Sequence, residues 1–88
     1  MPKLIIYVTV RCGYCTLAKR LLDKKGVTYE TRDVSHDRDR RLWLVEASGQ
    51  RTVPQIFIDD RSLGGYAELA QLDKAGELDG LLGLSAEG

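Results

Sequence analysis

The stretch "KLIIYVTVRCGYCTLAKRLL", Lys3 to Leu22, decides the fold. Its first part, Lys3 to Thr9, is β-branched and aromatic with almost no polar alternation, the pattern of a central strand covered on both faces. From Tyr14 to Lys25 the pattern turns helical. Leu17, Leu21 and Leu22 fall on one stripe, Lys19, Arg20, Lys24 and Lys25 mostly outside it, and Gly26 is a natural stop. Between strand and helix stand the chain's only two cysteines, Cys12 and Cys15. "VTYETRDV", Val27 to Val34, alternates and reads as a second strand. Strand, helix and strand make a βαβ unit, for which a right-handed parallel crossover is strongly favoured.

Further along, "SHDRDRR" is a solvated charge run that opens a second helix ending at Ser48-Gly49. Leu44 and Val45 are expected to face inward, with Leu42 or Trp43 nearer the helix edge, and His36 in the loop or cap. "PQIFIDDRSLGG" reads as strand (Gln55 to Ile58), turn (Asp59-Asp60-Arg61) and strand (Ser62 to Gly64). So short a connection forces antiparallel pairing. A third helix is predicted from Tyr66 to Lys74 with Gly76 closing it. One more helical turn carries Leu78, Leu81 and Leu82, and "SAEG" (85–88) reads as a frayed tail. The order β-α-β-α-β-β-α describes an α/β sandwich in which a βαβ half and a ββα half share a four-stranded mixed sheet flanked by helices. This is the thioredoxin fold, and a C-x-x-C closing the first strand of a βαβ unit is the context that motif needs.

The totals fit one domain over 1–88 with no room for a second core. Lysine plus arginine balances aspartate plus glutamate at 13 each, so charge gives no reason to expect a nucleic-acid or membrane-surface partner. The longest apolar run, Leu4 to Val8, is too short to cross a bilayer, and "MPK" lacks the build of a secretory signal. A cytoplasmic location is expected, where thiols are kept reduced.

That location bears on the cysteines. A structural zinc site needs four ligands, and this chain offers one pair and a single histidine, His36. A Cys12–Cys15 staple would close too small a loop to remove much unfolded-chain entropy. Inert thiols remain the bland alternative; the motif's placement favours working ones. Cys12 sits just before the first helical turn, where unpaired N–H groups and the positive end of the helix dipole favour an anion. The N–H groups near Tyr14 and Cys15 can point at its sulfur, and Arg11 and Lys19 would add positive potential. These effects lower the thiol pKa. Cys12 is therefore the attacking and leaving sulfur, and Cys15, one turn further in, the resolving one.

Magnitudes separate the roles. A fall from ~8.5 to ~5 would raise the thiolate fraction at neutral pH roughly thirtyfold. The accompanying loss of intrinsic nucleophilicity is about fortyfold for a Brønsted slope near 0.45. Attack gains little, whereas departure from a mixed disulfide gains much. The site suits a sulfur that is passed from disulfide to disulfide.

"RTVPQIFID" places Val53-Pro54 at the start of the third strand, beside the Cys12 corner. Pro54 reads either as a simple strand-opening proline or as a cis bond that leaves the N–H and C=O of Val53 free to grip an extended peptide. From spacing alone both readings stand. "GGYAEL" frees the N–H groups of Tyr66 and Ala67 at a helix start, where a carboxylate could dock. With Arg11, Gln50 and Arg51, this corner suits a small, extended, carboxylate-bearing thiol peptide such as glutathione.

The combination of C-G-Y-C, T-V-P and G-G, in "IIYVTVRCGYC", "SGQRTVPQIFID" and "LGGYAEL", with "LDKAGELDGLL" after them, resembles the dithiol glutaredoxins over nearly the whole chain. The resemblance implies a glutathione-dependent thiol–disulfide oxidoreductase that reduces glutathionylated and disulfide-bonded proteins, with glutathione as co-substrate and no tightly bound cofactor. It implies that Tyr14 flanks the glutathione, that Thr52, Val53 and a cis Pro54 hold its cysteinyl backbone, and that Gly65, Tyr66 and Ala67 receive its γ-glutamyl end. Thr9 stands where the family commonly carries a lysine, so the charge falls to Arg11 or Arg51. Ala67 replaces a serine or aspartate, leaving Glu68 as partner for the γ-glutamyl amine. A monomer is expected. Two alternatives attach to the same residues. A mycoredoxin-like reductase would use another small thiol. Gly13, in place of the usual proline, permits a carrier holding a [2Fe–2S] cluster between two subunits through Cys12 and glutathione.

Overall fold

Successive side chains of β1 (Leu4–Val8) point to opposite faces, and all five are buried, so the strand must have cover on both sides. The computed structural model, which describes residues 3–84, supplies that cover. Leu4, Ile6 and Val8 pack with Ile56 and Ile58 against Cys15, Ala18 and Leu22 of α1 (Gly13–Lys24), Leu69 of α3 (Tyr66–Lys74) and Leu78 of α4 (Leu78–Leu81). Ile5, Tyr7 and Phe57 face the other way, against Val34 and against Leu44, the latter on α2 (Arg38–Ser48). The sheet runs β2-β1-β3-β4, with β2 (Glu30–Asp33) parallel to β1, and β3 (Gln55–Ile58) antiparallel to both β1 and β4 (Arg61–Gly64). The expected thioredoxin-type mixed sheet is present. The β3–β4 turn uses Asp59 and Asp60 at φ 48° and 67°, the left-handed pair that suits a tight hairpin.

Two details differ from the sequence reading. The inward stripe of α1 is Cys15, Ala18 and Leu22, at i, i+3 and i+7; Leu17 is 39% exposed and Leu21 only flanks the core. A small residue lets α1 approach the sheet closely, so Ala18 takes the place expected of a leucine. The second strand is shorter than Val27–Val34 because its ladder begins where Glu30 meets Ile5. Val27 and Tyr29 still pack on the core, so the alternation before Glu30 records burial and not pairing.

β4 begins at Arg61, one residue before the expected Ser62, and of the α2 pair expected to face inward Leu44 is buried and Val45 half-buried. α3 and β3 have the predicted bounds. Trp43 lies at the edge of α2, 39% exposed, stacked on Phe57 at 5.4 Å. Lys25 ties the helices on one face together, its Nζ 2.6 Å from Asp73 and 2.7 Å from Asp79. Hydrogen bonds to Asp73 first, then Asp79, raise its pKa. No described helix is long and apolar enough to cross a membrane. The tail 85–88 lies outside the described residues.

Candidate functional site

The chain leaves β1 through a turn in which Arg11 adopts a left-handed conformation, φ 57°. This turn delivers Cys12 in extended conformation as the N-cap of α1. Its sulfur occupies the position of a capping oxygen and accepts the backbone N–H of Cys15 at 3.1 Å. The Cys15 N–H reaches the sulfur as expected, while no such bond from Tyr14 is present among the described residues. Cys12 is half-buried and Cys15 is 3% exposed, the asymmetry required of an outer attacking sulfur and an inner resolving one. The two are joined as a disulfide with Cα atoms 5.2 Å apart. Ser35 braces the turn: its hydroxyl accepts the N–H of Val10 at 2.8 Å, and its own N–H donates to Asp33 at 2.8 Å. The Ser35 side chain first, and then its backbone N–H, lower the carboxyl pKa of Asp33, with weaker help from His36 and Lys19.

The opposite wall comes from the start of β3. Val53-Pro54 is cis, and the carbonyl oxygen of Val53 lies 3.6 Å from the Cys12 sulfur. Among the described residues neither the N–H nor the C=O of Val53 enters a backbone hydrogen bond, so both are available to an extended peptide. Behind them lies a groove of about 350 Å³ lined by Tyr14, Gln50, Thr52, Val53 and Pro54, and by Gly65, Tyr66, Ala67 and Glu68 at the start of α3. The rings of Tyr14 and Tyr66 face each other across it, with centroids 6.0 Å apart. The residues the sequence assigned to the tripeptide, apart from Arg11 and Arg51, thus share one groove. Arg11 is exposed in the turn and does not line it.

Glu68 has an occupation that the sequence reading did not assign. Its carboxylate reaches back to accept the Gly65 N–H at 2.7 Å and the Gln50 Nε2 at 3.2 Å, one half of a capping box. Gln55 also escaped the sequence reading. It is fully buried, and its Nε2 donates to the Gln50 side-chain oxygen and to the Thr52 carbonyl, each at 2.9 Å. A chain of hydrogen bonds therefore runs Gln55–Gln50–Glu68–Gly65, tying the Thr52 loop to the α3 N-terminus across the groove. The available signal was a polar residue opening the apolar run "QIFI". Both amide hydrogens of Gln55 meet acceptors, which fixes the amide orientation.

Gly65 sets the groove's width. A Cβ there would sit 3.1 Å from the Pro54 carbonyl oxygen, a backbone atom. Gly65→Ala is expected to push the two walls apart and raise the KM for a groove-bound peptide several-fold, leaving the thiol pKa of Cys12 unchanged. Steady-state kinetics and a thiol titration check the two halves of that statement.

Among the described residues no group of three or more histidine, cysteine or acidic side chains is placed to hold a metal ion. The glutaredoxin family model matches residues 4–63. The chain is 46% identical over 81 residues to glutaredoxin 1 of Rickettsia prowazekii, covering 90% of this chain and 85% of that one. The solution structure of glutaredoxin from Brucella melitensis aligns at a TM-score of 0.84 with 41% identity, over 93% of this chain and 89% of that one. The buckwheat glutaredoxin–glutathione complex aligns at 0.86 with 30% identity, over 93% and 77%. On the extent and identity of these matches the chain belongs to the glutaredoxin family.

Proposed function

We propose that this chain uses glutathione to reduce protein–glutathione mixed disulfides and protein disulfides. The observation that carries the reading is the Cys12 sulfur, capped by the Cys15 N–H and 3.6 Å from the Val53 carbonyl that opens the groove. In the reduced protein the same N–H and the helix dipole stabilise a thiolate at Cys12. That thiolate attacks the glutathione sulfur of a mixed disulfide, forming a Cys12–glutathione bond while the protein leaves as a thiolate and takes up a proton. A second glutathione thiolate attacks the glutathione sulfur on Cys12, giving glutathione disulfide and restoring the Cys12 thiolate. With a protein disulfide, Cys12 bonds one substrate sulfur and expels the other as a thiolate, and Cys15 then attacks the Cys12 sulfur, releasing the bonded substrate thiol. Two glutathiones reduce the resulting Cys12–Cys15 bond.

The groove supports glutathione as the tripeptide. The free Val53 backbone groups suit its cysteinyl segment, and the N–H groups opening α3 suit the γ-glutamyl carboxylate. The likeness to a glutaredoxin that binds glutathione adds weight. A coupled assay on a glutathionylated protein, run with glutathione and with other small thiols as reductant, tests the reading. Turnover with glutathione at least about tenfold above that with other thiols at equal thiolate concentration is expected. A preference for a different thiol would point to the mycoredoxin-like alternative.

A further inference from the structure

Arg11 holds a backbone conformation that its residue type does not favour. Its φ of 57° lies in the left-handed region, which is costly for a residue with a Cβ and persists only where the surroundings enforce it. The other non-glycine residues at positive φ among the described ones, Asp59 and Asp60, are short polar residues in a tight hairpin, where that conformation is tolerated. Arg11 has no such help. Packing does not enforce its conformation, because Val10 is 62% exposed and Arg11 is exposed too. No ion pair of Arg11 is present among the described residues. Within the same residues, one hydrogen bond of good geometry reaches the segment from Thr9 to Arg11: the Val10 N–H donates to the Ser35 hydroxyl at 2.8 Å.

Ser35 is itself fixed from two sides. Val34 before it is buried, and the Val34 N–H donates to the Val8 carbonyl at 2.8 Å. The Asp33 carboxylate accepts the Ser35 N–H at 2.8 Å and bonds the Ser35 side chain, while Lys19 and His36 add positive charge around it. With its proton turned to that carboxylate, the hydroxyl presents its lone pairs to Val10.

We propose that Ser35 is a positioning residue for the thiol chemistry: through the Val10 N–H it holds Arg11 left-handed and so sets the Cys12 sulfur against the Cys15 N–H. The inference rests on the reading of Cys12 as the attacking and leaving sulfur. Cys12 enters α1 directly from Arg11, so the dihedral angles of Arg11 decide where the N-cap side chain points. Its sulfur lies 3.1 Å from the Cys15 N–H, and a hydrogen bond to an anion weakens steeply as alignment is lost. Without the brace Arg11 relaxes towards negative φ, the N-cap tilts, and the thiolate loses its donor. Ser35 neither bonds the sulfur nor lines the groove, so its effect passes through the turn.

The test titrates the Cys12 thiol by thiolate absorbance in the reduced protein carrying Cys15→Ser, with and without changes at Ser35. Ser35→Ala, at a half-buried loop position that accepts alanine, is expected to raise that pKa by about one unit, part of the worth of a hydrogen bond to a charged group. It is also expected to slow turnover of a glutathionylated protein several-fold. Ser35→Thr keeps the hydroxyl and is expected to restore both values. A merely structural role predicts a lower melting temperature with the pKa unmoved. Arg11→Gly separates the turn from any direct influence of the hydroxyl on the sulfur, because glycine adopts the left-handed conformation without steric cost and needs the brace less. In a protein already carrying Arg11→Gly, Ser35→Ala is expected to move the pKa by less than half as far. Equal shifts in the two backgrounds, or an unmoved pKa in the Ser35→Ala protein, would overturn the inference. If the parent protein itself titrated no lower than free cysteine, the thiolate reading beneath the inference would fall with it.

Discussion

Cys12→Ser will abolish glutathione-dependent reduction of mixed and protein disulfides alike, a loss of at least about a thousandfold in kcat/KM. A serine hydroxyl at the α1 N-cap can accept the Cys15 N–H as the sulfur does, so the fold will survive and the loss will be one of chemistry. Among the described residues the Cys12 sulfur's hydrogen-bond partners are both backbone groups, so no side-chain base is bonded there to activate that hydroxyl. Cys15→Ser will behave differently. Reduction of a protein–glutathione mixed disulfide needs only the outer sulfur, and that activity will stay within a few-fold of the unaltered protein. Reduction of protein disulfides will fall, because the stalled mixed disulfide with Cys12 then waits for glutathione. The two variants should be compared on one glutathionylated protein and one disulfide-bonded protein under the same reductant. Equal activity of both variants on the glutathionylated substrate would contradict the division of roles.

Gln55→Leu is expected to have the second largest effect. Leucine fills a similar volume but removes both amide donors, leaving the half-buried Gln50 side-chain oxygen and the Thr52 carbonyl without that partner. An orphaned acceptor costs about 1–3 kcal/mol when fully buried and less where water reaches it, as at exposed Thr52, so a fall of a few degrees in melting temperature is expected. The Gln55 Oε1 already lacks a partner among the described residues, so its removal offsets part of that cost. A purely structural role predicts only the stability loss. The hydrogen-bonded chain to Gly65 predicts in addition a raised KM for glutathione with kcat little changed, since the two groove walls lose their common tie. Unchanged KM at a temperature where the variant is folded would confine Gln55 to a structural role.

What could be read in advance follows from how local each signal is. The "LIIYV" run, the cysteine spacing and the two glycines before Tyr66 each act over a few residues, and the sheet, the α1 N-cap and the α3 start followed from them. Leu17 misled because a helical stripe of leucines looks the same whether α1 turns that stripe or its neighbour to the sheet. Only Ala18 in close contact with the sheet decides the rotation. Tyr29 misled because burial and strand pairing share the same alternation, while pairing ends where the partner strand ends. The bonds made by Glu68 and Gln55 were invisible for a different reason. Their partners Gly65, Gln50 and Thr52 are brought to them by the fold, and no spacing encodes a bond between a strand's first residue and a loop carbonyl. The groove residues were foreseen one by one; the bonds that hold the groove were not.

A backbone N–H of α1 aimed at sulfur 12 makes the protonation of that sulfur the most direct quantity to measure. The reduced Cys15→Ser protein isolates it, and the ultraviolet absorbance of the thiolate follows it through a pH titration. The account predicts a pKa well below the ~8.5 of free cysteine. A value at or above that of free cysteine would contradict it.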